Sequence, residues 1–462
     1  MEIKVEYKEK LIPEIKYILD TLLSDFLGIN WKYVETDSQF FKLSLRDCSG
    51  TILLPGIFFE NYNFKKFQLS SLPNSRCNYW DSRELNFEID LIEKLVPVIY
   101  GNEDKSFINN NNLYIPIDIF GSSFYMITMY EEMINHNSLE KQYSSAKNSY
   151  AYKNNFLDRP IVDEYLEILR SSFNYIWKGL GLKKNIQRRI NVTCDIDKLY
   201  FYSENLLRAS KDLLKNQYIK KIKKDFYSQY KLFFQSLYKD YKSDPYIENI
   251  YWIMQQNEKI GNKVTFYFLT QFESKYDGFY RLNTKFIRKI FRDINNRKHI
   301  IGLHLNYDSF ISPEKTLKQY SIFKKTLEEA NIYIDDVVSR QHYLRWNNPI
   351  TARNCERAKI KLDSTIYYPE IIGFKLGTSR DFRYFDLLRR EKLNLIERPL
   401  IFMDDSVFGD SYSGLDYCYK AFELINKIKE KSLKFGGQFT MLWHNCALND
   451  SKSRDFYLEI IK

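Results

Sequence analysis

From residue 188 onward the chain repeats one pattern: a short apolar run, a few polar residues, then a stretch with helical spacing. The runs at 190–194, 264–269, 299–303, 332–338, 365–368 and 439–442 predict buried strands, because four to seven residues of this kind between polar punctuation suit a strand covered on both faces. Helical sequence lies between successive runs, so the segment reads as repeated βα units. A segment at about 200–262, helical and rich in Lys and Tyr, separates the first two runs as an insertion. Upstream, apolar residues at helical spacing predict helices over 12–27 and 161–179. Extended pieces are expected at 40–44 and 51–54, ahead of Pro55-Gly56, and the polar stretch 135–155 reads as a connector. The expected organisation is α/β: a smaller α+β domain over 1–180, then a larger domain over 185–462. No internal repeat stands out.

Length agrees, since 462 residues make two or three domains at roughly 150 residues each. With 44% hydrophobic and 28% charged residues the chain can build a large core, which excludes wholesale disorder. Glycine is scarce, at 16 residues, and neither a P-loop nor a GxGxxG run occurs. The net charge is +10, with a visible basic run of Arg208, Lys211, Lys215, Lys220, Lys221, Lys223 and Lys224. It predicts a helix with a solvated basic face; no nucleic-acid partner is expected, and peripheral association with an anionic membrane surface stays open. Six cysteines without a CxxC pair fit neither a zinc ribbon nor a disulfide framework. The absence of an apolar leader and of any apolar run of about 18 residues makes a cytoplasmic location the expectation.

In a β/α architecture working residues gather where strands end. Here the first run ends in Asp195-Ile196-Asp197, the third in His304, the fourth in Arg340-Gln341-His342 and the last in Trp443-His444-Asn445. Asp195 and Asp197 are two apart, so in extended backbone both carboxylates point to one side and call for a cation or a shared proton. They read equally as a metal ligand beside a general base or as two helix-capping aspartates. Only five histidines exist, and three follow strands of the same domain. Two imidazoles and a carboxylate form a common catalytic set for a divalent metal.

These motifs resemble the polysaccharide deacetylases of the NodB-homology class, carbohydrate esterase family four. The likeness is to a branch with T-H-D-V-D, G-L-H-x-S-Y-x-S, R-x-H-Y-L, D-S-S with G-F-R-x-G, and W-H-N. The chain has Thr193-Cys194-Asp195-Ile196-Asp197, Gly302-Leu303-His304-Leu305-Asn306-Tyr307-Asp308-Ser309, Arg340-Gln341-His342-Tyr343-Leu344, Asp363-Ser364-Thr365 with Gly373-Phe374-Lys375-Leu376-Gly377, and Trp443-His444-Asn445, in that order. The resemblance covers about 188–450. Ser122 through Glu132 and Arg159 through Asp163 are similar to the end of the N-terminal domain of unknown function that precedes it in that branch. Three positions depart: Cys194 replaces a histidine, Lys375 an arginine and Asn306 a serine. Better-known members carry a second histidine four residues after the first; here that position is Asp308.

The resemblance implies a distorted (β/α) barrel of about seven strands and hydrolysis of an acetyl-amide bond on a sugar of a bacterial surface polysaccharide or its precursor. It implies a divalent metal, Zn²⁺ foremost, on Asp197, His304 and His342, with Asp308 as the alternative third ligand. Asp195 is the implied general base, oriented by Arg340, and His444 the general acid. Trp443, Asp363, Lys375 and Tyr307 are the expected substrate contacts. Cys194 reads as a neutral replacement pointing away from the metal, with a thiolate ligand as the alternative. Two other classes stay open: a catalytically degenerate glycan or nucleotide-sugar binding protein, and a surface-polysaccharide assembly factor acting through the N-terminal domain and basic insertion.

Overall fold

The chain begins with a strand that the sequence reading passed over. β1, Glu2–Tyr7, alternates solvent-facing residues with buried Ile3, Val5 and Tyr7, the period of a half-covered strand. The computed structural model describes residues 2–135, 145–184, 188–202, 226–238 and 243–462, and scattered positions between 207 and 241. Its chain divides into two compact units: Met1–Arg189 with Ile366–Ile401 and Lys427–Phe439, and Ile190–Thr365 with Phe402–Asn426 and Thr440–Lys462.

In the first unit, β2 (Asn30–Glu35), β3 (Phe40–Leu45) and β4 (Thr51–Pro55) join β1. β5 (Asn78–Asp81) and β6 (Leu95–Val98) form a separate ribbon, while β7 (Phe107–Asn109) and β8 (Asn112–Tyr114) complete a six-stranded sheet in the order β2-β1-β3-β4-β8-β7. The helix expected over 12–27 is an α-helix at Pro13–Leu19 that continues as a wider π-helical stretch, Asp20–Phe26. Helix Ile119–Ile127 is buried along its whole length, and the expected helix from 161 spans Ile161–Ile176. Phe41, Phe58, Phe120 and Phe124 pack edge to face or tilted at centroid separations of 5.1 and 5.6 Å, which forms the core of this unit.

The second unit carries the βα repeat: β9 (Arg189–Ile196), β10 (Val264–Leu269), β11 (Ile300–Leu305), β12 (Val337–Gln341) and β13 (Ile360–Asp363). An antiparallel hairpin of the first unit, β14 (Phe382–Asp386) and β15 (Glu391–Glu397), follows in sequence. β16 (Phe402–Met403) and β17 (Gln438–Leu442) complete the strands, in the order β13-β12-β11-β10-β9-β17-β16. β9 to β13 pair parallel, each to the next, and helices Pro245–Lys259, Lys285–Asn296, Pro313–Glu329 and Ile350–Arg357 fill the successive connections. The architecture is mixed α/β. Two expected strands move. Ile332 instead closes the preceding helix, its N–H donating to Leu327 O, so β12 starts at Val337. No strand forms at 365–368, because the Asp363 carboxylate accepts the Thr365 N–H and turns the chain.

Most of the basic run, Arg208, Lys215, Lys220, Lys221, Lys223 and Lys224, lies outside the described residues, as do residues 136–144 of the expected connector. No helix among the described residues is long and apolar enough to cross a membrane.

Candidate active site

Parallel register sets one layer of the site. His304 on β11 lies opposite Leu269 of β10 and Arg340 of β12, and Asp195 lies opposite Tyr267. Alternation along β9 sends Asp195 to one face and Cys194 to the other. Burial drives the Cys194 thiol well above its usual range, so it is neutral.

Arg340 is fully buried, and its donors are satisfied by strand-end oxygens. Nη1 donates to Asp195 Oδ1 at 2.9 Å and to Thr193 Oγ1 at 2.7 Å; Nε donates to Ser364 O at 2.7 Å. Its guanidinium lies 4.6 Å from the Tyr267 ring centroid. Asp195 is thereby held in one orientation by a charge-assisted bond.

Asp197, His304 and His342 present ligand-type atoms within 4.8 Å of one another. The Nδ1–H of His304 donates to Arg340 O at 2.9 Å, which leaves Nε2 with its lone pair 3.2 Å from Asp197 Oδ1. His342 Nδ1 lies 3.2 Å from Asp277 Oδ1, and its Nε2 lies 3.6 Å from Asp197 Oδ2. Carboxylate and carbonyl partners on Nδ1 are the usual device that aims Nε2 at a metal. Burial depresses the basicity of His342, but Asp197 and Asp277 outweigh it and hold its pKa at about 9. The pairing acts in reverse on Asp197: burial pushes its carboxyl up, but the charged His342 ring prevails and holds it well below its usual range.

The donor set fits a divalent cation. Asp197 Oδ1 is buried and makes no hydrogen bond even with His304 Nε2 close by, an acceptor that lacks a partner. Ligands about 2.1 Å from a tetrahedral metal stand about 3.4 Å apart, which brackets with the 3.2 and 3.6 Å found here. A place that attracts protons between carboxylates also attracts a cation in their stead.

On another side stands His444. Its Nδ1 lies 2.7 Å from Asp404 Oδ1, its backbone N–H donates to Asp404 Oδ2 at 2.8 Å, and its Nε2 lies 3.6 Å from Asp197 Oδ2. Burial works against the charged ring, yet Asp404 and Asp197 prevail and raise its pKa well above the usual histidine range. With Asp405 and His444, Asp404 forms a second group of ligand-type atoms.

The sequence reading missed Asp404 and Asp277. Asp404 follows β16, a two-residue strand, yet the apolar run 400–403 that ends in two aspartates was a usable signal. Asp277 lies in a loop without periodicity. That loop closes on the site at Gly278, where a Cβ would stand 2.0 Å from Asp197 O.

The expected substrate contacts fare differently. Trp443 is fully buried, its ring packed among Phe408, Tyr457 and Phe402 at 5.2–6.1 Å, as part of the core. Asp363 is buried and accepts from Ser339 Oγ at 2.5 Å; burial pushes its carboxyl up to about 6. Lys375 pairs with Glu132 at 3.0 Å within the first unit, and its ammonium lies over the Tyr368 ring. Tyr307 stacks on Tyr276 at 4.2 Å, and Tyr276 and Tyr343 are the more exposed rings of that group. Asp308 faces Arg345 and Lys315 at 3.4 and 3.6 Å, half-exposed, and is not part of the Asp197 group.

Residues 3–178 match a family model described as a family of unknown function, DUF7033. No curated protein matches the chain. Among solved structures it is similar to one described as a polysaccharide deacetylase from Mycobacterium smegmatis, at 13% identity and a TM-score of 0.39, over 60% of this chain and 83% of that one. It is also similar to Puue allantoinase, at 10% identity and a TM-score of 0.37, over 62% of this chain and 85% of that one.

Proposed function

We propose that the second unit is a divalent-metal-dependent hydrolase of an amide bond, and that its substrate is an N-acetylated sugar of a bacterial surface polysaccharide or of its precursor. The observation that carries this reading is the grouping around Asp197. Two Nδ1-anchored imidazoles point their Nε2 atoms at its carboxylate, an arginine-held carboxylate lies alongside, and an aspartate-held histidine faces the same oxygen pair.

Asp197, His304 and His342 would hold the cation. When bound, it supplies Lewis-acid polarisation of an acyl oxygen and a lowered pKa for water. Asp195, fixed by Arg340, takes the proton from the attacking water. His444, kept protonated by Asp404, delivers a proton to the nitrogen as the C–N bond breaks, which an amine leaving group requires. The pairing of a carboxylate base with a cationic histidine acid favours amide over ester chemistry.

Metal content and hydrolysis test this together. The purified chain should carry about one divalent ion, lose it in His342→Ala and Asp197→Ala, and release acetate from at least one N-acetyl sugar in a panel. Unchanged metal content in both variants would refute the ligand assignment. Metal with no hydrolysis across the panel would favour a glycan-binding protein instead.

A further inference from the structure

Asp277 does more than anchor the His342 ring. Besides facing His342 Nδ1, its Oδ1 accepts the Tyr307 N–H at 2.8 Å, and its Oδ2 accepts the Ser274 N–H at 2.8 Å. One buried carboxylate thus ties the loops after β10 and β11 to the Asp197 group. Those loops and the turn after β12 bring three tyrosines together. Tyr276 stacks on Tyr307 with centroids 4.2 Å apart, and Tyr343 stands steeply across both, at 5.9 and 5.4 Å. Tyr343 follows His342 directly, and the two rings lie 4.7 Å apart. The rings therefore continue outward from the metal-type group: His342 is buried, whereas Tyr343 and Tyr276 are 49% and 42% exposed.

Two features separate these tyrosines from rings that merely end up at a surface. Tyr343 has φ 59° and ψ 18°, left-handed backbone that a bulky residue adopts only where its surroundings hold it, and such residues gather at binding sites. Tyr276 gives one face to Tyr307, which the Arg345 guanidinium backs in turn at 3.8 Å; its other face meets only the ammonium of the exposed Lys275, at 5.0 Å, among the described residues. The rings are held from behind and open in front. A sugar ring fits such a platform, its C–H face on the aromatic and its hydroxyls in water. A nucleobase is flat as well, but in a nucleotide sugar it arrives with a diphosphate, which calls for several free cations. Here Arg345 donates to Tyr307 O at 2.7 Å and to Asp308 at 3.4 Å, and Lys315 faces Asp308 at 3.6 Å, which leaves Lys275 of the three.

We infer that Tyr276 and Tyr343 seat a second sugar ring, the neighbour of the N-acetylated one, so that the substrate is a chain of sugars and not a nucleotide sugar; the inference rests on the amide-hydrolase reading of the Asp197 group. The full chain, carrying Asp195→Asn to stop turnover, is titrated calorimetrically with N-acetylglucosamine, chitotetraose and uridine diphosphate N-acetylglucosamine. Chitotetraose should bind at least about tenfold tighter than the single sugar, as one added aromatic contact supplies. Tyr276→Ala and Tyr343→Ala should each cut that preference for length several-fold with metal content and melting temperature retained, whereas Tyr276→Phe, which keeps the ring, should preserve it. A collapsed site would weaken both sugars alike and leave their ratio in place. Equal affinity for tetramer and monomer, no binding of any of the three, or a preference for length that survives both alanine variants would overturn the inference. Tightest binding of the nucleotide sugar, lost in the same variants, would also overturn it and make the platform a nucleobase seat. The two readings fail separately: hydrolysis by wild type without any preference for length sinks the platform alone, and ring-dependent binding of chitotetraose without hydrolysis of any N-acetyl sugar sinks the hydrolase alone.

Discussion

At Asp404 a single carboxylate does two jobs for His444: one oxygen takes the backbone N–H and fixes the residue's place, the other faces Nδ1 and stabilises the charged ring. Asp404→Asn keeps a polar group of the same size but removes the charge. The pKa of His444, held well above its usual range, should then fall, so the ring loses its proton at lower pH. The sign is definite: the alkaline limb of amide hydrolysis moves toward acid, and the rate at mildly alkaline pH drops on the order of 10²-fold. An activated ester, whose leaving group needs little protonation, should lose much less. Equal losses on both substrates would show that Asp404 only positions the loop. The residues of the grouping were legible wherever a polar residue ends an apolar run, as with Asp195, Asp197, His304, Arg340, His342 and His444. Of their partners, Asp277 was not, because an aspartate within an irregular loop leaves no periodic trace, while Asp404 follows an apolar run of only four residues that carried the same signal and was not used.

Elements were legible to the extent that their own residues decide them. The run 264–269 returns as β10 at Val264–Leu269, since its six residues are buried on both faces. β1 was passed over because its exposed positions are charged, and the hairpin β14 and β15 because nothing local distinguishes antiparallel from parallel pairing. Caps show the same limit and have consequences for stability. Asp118, at the start of helix Ile119–Ile127, accepts the Gly121 N–H through Oδ1 and the Phe58 N–H through Oδ2, each at 2.8 Å. Burial outweighs these bonds and pushes its carboxyl up to about 7. The folded state therefore holds this proton more tightly than the unfolded chain, and the stability tied to it is complete below about pH 4 and lost as pH rises through about 7. Asp118→Asn should lower the melting temperature at acid pH, through the lost acceptor, while flattening its decline between about pH 4 and 7. An unchanged slope in the variant would place the pH dependence in other groups, such as Glu131, also raised to about 7.

At the scale of the whole molecule, the interleaving of the two units is what local patterns conceal. Residues 366–401 and 427–439 belong to the first unit although they lie far downstream of its other residues, and their contributions are chemical as well as spatial. Glu14, fully buried, is clasped by Arg390 through two bonds of 2.7 and 2.8 Å, across 376 residues of sequence. Asp163, also buried, accepts from Thr378 Oγ1, Ser379 N and Arg380 Nε. No periodicity announces such a partner. A fragment of residues 1–189, which contains the whole match to the family of unknown function, keeps both carboxylates and loses all of these donors. Breaking a buried pair by removing one partner costs about 3–5 kcal/mol, and two such losses approach the roughly 5–15 kcal/mol that holds a typical domain folded. The fragment should therefore show no cooperative melt at neutral pH and should bind a hydrophobic dye. Low pH should restore part of its structure, since protonation removes both uncompensated charges. Circular dichroism melts of the fragment and the full chain provide the check: a cooperative transition of the fragment within a few degrees of the full chain would mean that the downstream segments are accessories to a unit that folds without them.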